Sequence, residues 1–102
     1  MKHYLLKSSG EVNDKFSVGE NSLESLQKAV GGYIEYAPYH MPNTKVIVNE
    51  EGMLNNLPTN IIATGIAGRH LVGDVVVETS NKEVQKYIKD CEIILSAKNH
   101  ES

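Results

Sequence analysis

Asn21-Ser22-Leu23-Glu24-Ser25-Leu26-Gln27-Lys28-Ala29-Val30-Gly31-Gly32-Tyr33-Ile34-Glu35-Tyr36-Ala37 carries the clearest structural signal in the chain. An asparagine at a helix N-terminus can accept an orphan backbone N–H, and Glu24, three residues on, can reciprocate. Leu23, Leu26 and Val30 then fall at i, i+3 and i+7, one apolar stripe of a helix. Gly31-Gly32 stops that helix, because glycine takes the left-handed conformation cheaply. Tyr33 to Ala37 is aromatic and β-branched and reads as a strand. Alternation along it sends Tyr33 and Tyr36 to opposite sides, so one is expected in the core.

Outward from this helix-stop-strand unit the chain reads as short strands and tight turns. Residues 3–8 and 14–18 are expected to be strands joined by a turn-rich link. Lys45-Val46-Ile47-Val48-Asn49 is another strand, and Glu50-Glu51-Gly52 turns it back towards Met53-Leu54. Ile61-Ile62-Ala63-Thr64 is apolar but too short for its period to separate helix from strand. Gly65-Ile66-Ala67-Gly68-Arg69-His70 reads as a glycine-punctuated loop. Leu71 to Glu78 reads as a strand with Gly73 a bulge. Ser80-Asn81-Lys82-Glu83 is a second capping box, after which Val84, Tyr87, Ile88, Cys91 and Leu95 share a helical face. Glu92-Ile93-Ile94-Leu95 fits either the end of this helix or an edge strand. The sum is an α+β fold: an antiparallel β-sheet of about five to six short strands, packed on one face by two helices.

The 102 residues suit one domain, expected over residues 1–97, with 98–102 a frayed polar tail. Composition is ordinary for a globular chain, with 40% hydrophobic and 23% charged residues. A net charge of −3, scattered lysines and a single arginine, Arg69, argue against nucleic-acid binding. A lone cysteine, Cys91, forbids an internal disulfide and suits a reducing, cytoplasmic setting. No signal peptide and no apolar run of bilayer length is apparent, so no membrane role is expected.

No catalytic constellation can be nominated. Cys91 sits on an apolar helical face and reads as a core thiol. His3, His40, His70 and His100 are isolated, without metal-ligand spacing, so neither a metal nor a cofactor is expected. Glu50-Glu51 reads as a solvated hairpin tip. Asn49 and Asn60 are expected chiefly to satisfy turn backbone groups. The stronger lead is Gly65-x-x-Gly68-Arg69-His70, where backbone N–H groups and a guanidinium can hold an anion. A second lead is aromatic: Tyr36, and Tyr39 between Pro38 and Pro42, can stack on a base or anchor a partner.

Four ordered blocks then invite comparison: Leu26 to Glu35 (…V-G-G-Y-I-E), Val48 to Leu54 (…N-E-E-G…), Leu57-Pro58-x-Asn60-x-x-Ala63, and Val72 to Val77 (…G-D-V-V-V). Across residues 20–78 they resemble a small domain-of-unknown-function family of phages, plasmids and other bacterial mobile elements. Against that pattern, the Pro38–Pro42 loop and the C-terminal helix look like additions. The resemblance implies an accessory protein in the bacterial host cytoplasm. The function expected is non-enzymatic binding and sequestration of a small nucleotide-derived ligand, such as a host immune signal, in counter-defence. The expected ligand-binding residues are Arg69, His70, Tyr36, Tyr39, Asn60 and Thr64. A homo-oligomer is expected, since one chain this small encloses such a ligand poorly. The alternative is a protein–protein interaction module that inhibits a host protein through Tyr39, Met41 and Ile93-Ile94-Leu95.

Overall fold

A computed structural model describes residues 1–37 and 41–101, with side chains up to Leu95. The element order is β1 (Lys2–Leu6), β2 (Val12–Asn13), α1 (Ser22–Val30), β3 (Ile34–Ala37), β4 (Thr44–Asn49), α2 (Ile61–Ala67), β5 (Val75–Thr79) and α3 (Lys82–Glu101). The strands form one sheet in the order β2-β1-β5-β4-β3, and every neighbouring pair is antiparallel. The α+β class and the antiparallel sheet agree with the sequence reading. The number and placement of helices do not: among the described residues there are three, and they cover both faces.

The reason lies in β5. Val75, Val76 and Val77 are all fully buried. A strand with one wet face alternates apolar with polar, whereas an unbroken valine run needs cover on both sides. Val75 and Val77 join Tyr4, Leu6, Val46, Ile62, Ile66, Val84 and Ile88 beneath α2 and α3. Val76 joins Leu5, Ile47, Leu26 and Val30 beneath α1. Two cores thus flank one sheet.

The segment Ile61–Ala67 is a helix: Ile61–Thr64, which the sequence left open between helix and strand, is helical, and Gly65–Ala67 continues it instead of forming a loop. Its buried residues are Ile62, Ala63, Ile66 and Ala67, spaced as one helical stripe. Gly65 disguises that stripe in the sequence. Its missing side chain is used by the neighbouring helix, because a Cβ there would collide with Tyr87 Oη of α3.

Other local expectations are corrected. Strand β2 covers only Val12–Asn13. Phe16 and Val18 pack against the α1-side core from a non-strand segment. Met53 and Leu54 are exposed in turns, not paired in a hairpin. Gly73 has φ +75° and precedes β5. The expected capping box at α1 is not made: Asn21 flanks the helix without a side-chain bond to it. Gly31 does end α1, with φ +81° and its N–H donating to Gln27 O. At α3 the cap is Asn81, not Ser80; its Oδ1 accepts from the N–H groups of Glu83 (2.9 Å) and Val84 (3.3 Å). Residues 92–95 are helical, and the α3 backbone continues to Glu101 through most of the polar tail. Neither Tyr33 nor Tyr36 packs in the core; they are 69% and 54% exposed.

Candidate functional site

The chain between α2 and β5 presents the most informative polar surface. Asn60 caps α2, its Oδ1 accepting from Ala63 N–H at 3.1 Å. Its Nδ2 donates to Leu6 O and to Gly73 O, both at 2.8 Å. One fully buried side chain therefore ties the start of α2 to β1 and to the approach to β5. At the other end Gly68 closes α2 with φ +69°, its N–H donating to Thr64 O. Thr64 Oγ1 accepts from Leu71 N–H at 3.0 Å and donates to Leu71 O at 3.3 Å. Leu71 O also accepts from Asn60 N–H at 2.8 Å. Thr59 pairs with Val72 in a β-bridge, and its hydroxyl shares a hydrogen bond of 2.9 Å with His70 Nε2.

This bracing holds Arg69 and His70 outward at the turn, both exposed. They line a cleft of about 230 Å³ whose other wall is the β3–β4 end of the sheet. Glu35, Val48, Glu50 and Met53 also line it. Glu35 pairs with Val48, and alternation puts both on the α2/α3 face of the sheet. Glu50 sits two pairs further along and so on the same face, its N–H donating to Tyr33 O at 2.8 Å. Asn49 secures that corner: Nδ2 donates to Val30 O (3.1 Å) and Oδ1 accepts from Glu51 N–H (2.8 Å).

The expected ligand contacts thus separate into three groups. Arg69 and His70 stand together on the cleft. Asn60 and Thr64 lie behind them, with their polar atoms engaged by backbone, and hold the turn that carries them. Tyr36 pairs with Ile47 and shares the α1 face, on the far side of the sheet. Tyr39 and His40 lie outside the described residues. The proposed glycine contribution to anion binding is also revised. Gly65 is inside α2, and the Gly68 N–H is already bonded, so Arg69 and His70 supply the donors.

Sequence reasoning missed Glu35 and Met53 and placed Glu50 at a solvated tip. The signal for Glu35 was present: strand alternation sets it opposite Ile34, facing the same way as Val48. What was hidden was the approach of the Arg69 turn, which depends on α2 being a helix.

Elsewhere, Cys91 packs partly against the α2/α3-side core, as a core thiol should. One turn earlier on α3, Tyr87 has its pKa raised, first by partial burial and then by the Cys91 thiol beside it. Met41 packs against the core, Leu95 is half-buried, and Ile93 and Ile94 are exposed. Among the described residues no group of three or more His, Cys, Asp or Glu is placed to hold a metal, and no helix is long and apolar enough to cross a membrane.

Comparison with curated proteins and with solved structures found no significant match. A family model does match, over residues 1–92, from β1 into α3. That span is wider than the blocks within residues 20–78 and takes in about the first half of α3. With so much of its length matched, the chain belongs to the family described as Domain of unknown function (DUF3846).

Proposed function

We propose that this protein is a non-enzymatic binder of a small nucleotide-derived ligand, and that the ligand's anionic end docks at Arg69 and His70. The observation that carries the reading is the juxtaposition of these two donors with Glu35 and Glu50 around one cleft. A guanidinium and an imidazole can donate to phosphate oxygens. The carboxylates facing them can accept from ribose hydroxyls or from base N–H groups. Met53 adds an adaptable apolar surface.

The cleft's ~230 Å³ falls below the roughly 300–1,000 Å³ of drug-sized ligand sites. It suits one end of a nucleotide, a phosphate with its sugar, and a second copy of the chain would cover the rest. The role that fits is sequestration of a nucleotide immune signal by a phage or mobile-element accessory protein in the host cytoplasm. The blocks resembling mobile-element proteins motivate that role.

The test is a thermal-shift panel of linear and cyclic nucleotides and ADP-ribose derivatives, with light scattering for the oligomer. A true ligand at a hundredfold excess over its Kd stabilises the fold by about 2.7 kcal/mol. Arg69→Ala is expected to weaken binding about tenfold to a hundredfold, the worth of a charge-assisted contact. Unchanged affinity in that variant would remove the cleft as the site. A panel without any shift would remove the nucleotide class.

A further inference from the structure

The two edges of the sheet are built differently. At one edge, β2 has only two residues and turns away at once, Asn13 Oδ1 accepting from Lys15 N–H at 3.0 Å. Very short edge strands are a common protection against unwanted pairing. The other edge is β3, four residues paired on one side only.

The hydrogen-bond phase shows which groups that edge presents. Glu50 N–H donates to Tyr33 O, so 33↔50 is a hydrogen-bonded pair in the register of Ile34↔Asn49. Hydrogen-bonded pairs alternate along an antiparallel ladder. Glu35 and Ala37 therefore direct their backbone groups at β4. The next ladder agrees: Ser80 N–H donates to Asn43 O, which aims Lys45 and Ile47 at β5 and leaves Val46 and Val48 for β3. Ile34 and Tyr36 must point their N–H and C=O groups away from the sheet. Among the described residues nothing bonds to them.

A second copy of this chain is a poor occupant. Two-fold pairing of β3 with itself has three registers that match outward groups. Ile34 against Tyr36 sets Glu35 directly opposite its own copy, where like charges repel. Tyr36 against Tyr36 extends the pairing past the end of β3, where the sequence continues into Pro38, which has no N–H to offer. Ile34 against Ile34 brings Gly32 opposite Tyr36, and the Gly32 N–H already donates to Gln27 O.

The same features describe a different guest. Glu35 and Glu50 lie on one face, and no cation among the described residues is within 4.0 Å of either carboxylate. Ile34 and the exposed Tyr36 lie on the other face. We propose that β3 is a docking edge for an extended segment of a partner protein, which adds a strand there and places a lysine or arginine opposite Glu35, with apolar residues alternating against Ile34 and Tyr36. Main-chain bonds would supply affinity, and the Glu35 contact would set register and choice of partner. This inference does not rest on the nucleotide reading.

The test is amide hydrogen exchange by NMR on the full chain, titrated with a synthetic peptide alternating lysine with valine and threonine. A control peptide carries glutamate at every lysine position. With the lysine peptide, exchange at Ile34 and Tyr36 should slow at least about tenfold, as newly bonded amides do, while Glu35, already bonded to β4, stays unchanged. The glutamate peptide should give no protection, and E35K should reverse the preference; Glu35 is exposed, so that variant keeps its fold. Equal protection by both peptides, or by neither, overturns the proposal. So does protection of Ile34 and Tyr36 in the protein alone that grows with its concentration, since a second copy would then be the occupant.

Discussion

The two ends of α2 carry polar residues of similar sequence appearance and opposite physical roles. At the N-terminal end Asn60 is wholly buried and bonded to three backbone groups in three different segments. At the C-terminal end Arg69 and His70 face a cleft. A buried amide that satisfies backbone groups works for the fold, and its removal leaves those groups without partners. An exposed guanidinium contributes little to folding and is available to a ligand. Asn60→Ala is therefore expected to cost about 3–5 kcal/mol, summing a lost cap and two orphaned carbonyls, read as a drop in the urea midpoint. Arg69→Ala should change stability by less than about 0.5 kcal/mol. Similar losses in both variants would erase the distinction between the two ends.

The middle of α2 offers a sharper probe. Glycine inside a helix ordinarily costs about 1 kcal/mol relative to alanine, so Gly65→Ala alone would be expected to stabilise. Here the new Cβ meets Tyr87 Oη. Gly65→Ala is instead expected to destabilise by about 1–3 kcal/mol, the usual cost of overpacking. In a Tyr87→Ala background the same change should turn favourable by about 1 kcal/mol. Additive effects in the double variant would show that the two residues do not meet. A smaller effect is expected at Thr64, whose hydroxyl braces Leu71 at 3.0 Å. Thr64→Val should cost about 1 kcal/mol of stability. If Thr64 positions the Arg69 turn, that variant should also bind the cleft ligand more weakly than wild type. Full affinity would confine Thr64 to the fold.

Much of this frame was legible in the sequence, and the loss that matters most for the site lies at α2. Leu26 and Val30 of the α1 stripe, the Gly31 stop, the β3 and β4 strands and the α3 face were readable, although Leu23 of that stripe is 57% exposed. The task of Asn60 and Asn49, satisfying backbone, was legible from their position beside turns. Helix α2 was not, because its seven residues include Gly65 and mix β-branched with small side chains. With Gly65–His70 read as a loop, the Arg69 turn loses its anchor and Glu35 has nothing to face; an open face of the sheet came instead from setting α1 and α3 on one side, which the buried run Val75–Val77 forbids. The expected site also took in Tyr36, chosen for its ring but set on the other face by strand alternation, and Asn60 and Thr64, whose polar atoms are engaged by backbone. Long-range geometry, not residue type, decides which polar groups share a surface.

The contact between α2 and α3 also predicts a modest response to alkali. The Tyr87 pKa is raised from its ordinary 10.0, by partial burial foremost and then by Cys91. A raised pKa means that the folded state holds the phenolic proton more tightly than the unfolded chain does. Its contribution to stability is complete below the unfolded value near pH 10 and is lost as pH rises through the higher folded value. Stability should therefore fall above about pH 10, and Tyr87→Phe, which keeps the ring but has no proton to lose, should fall less steeply. Urea midpoints at pH 9 and pH 11 for the two proteins measure the difference, with the remaining tyrosines as a shared background. Parallel losses would mean that the hydroxyl over Gly65 is as well solvated in the folded protein as in the unfolded chain. The close approach of α3 to α2 would then rest on the ring of Tyr87 alone.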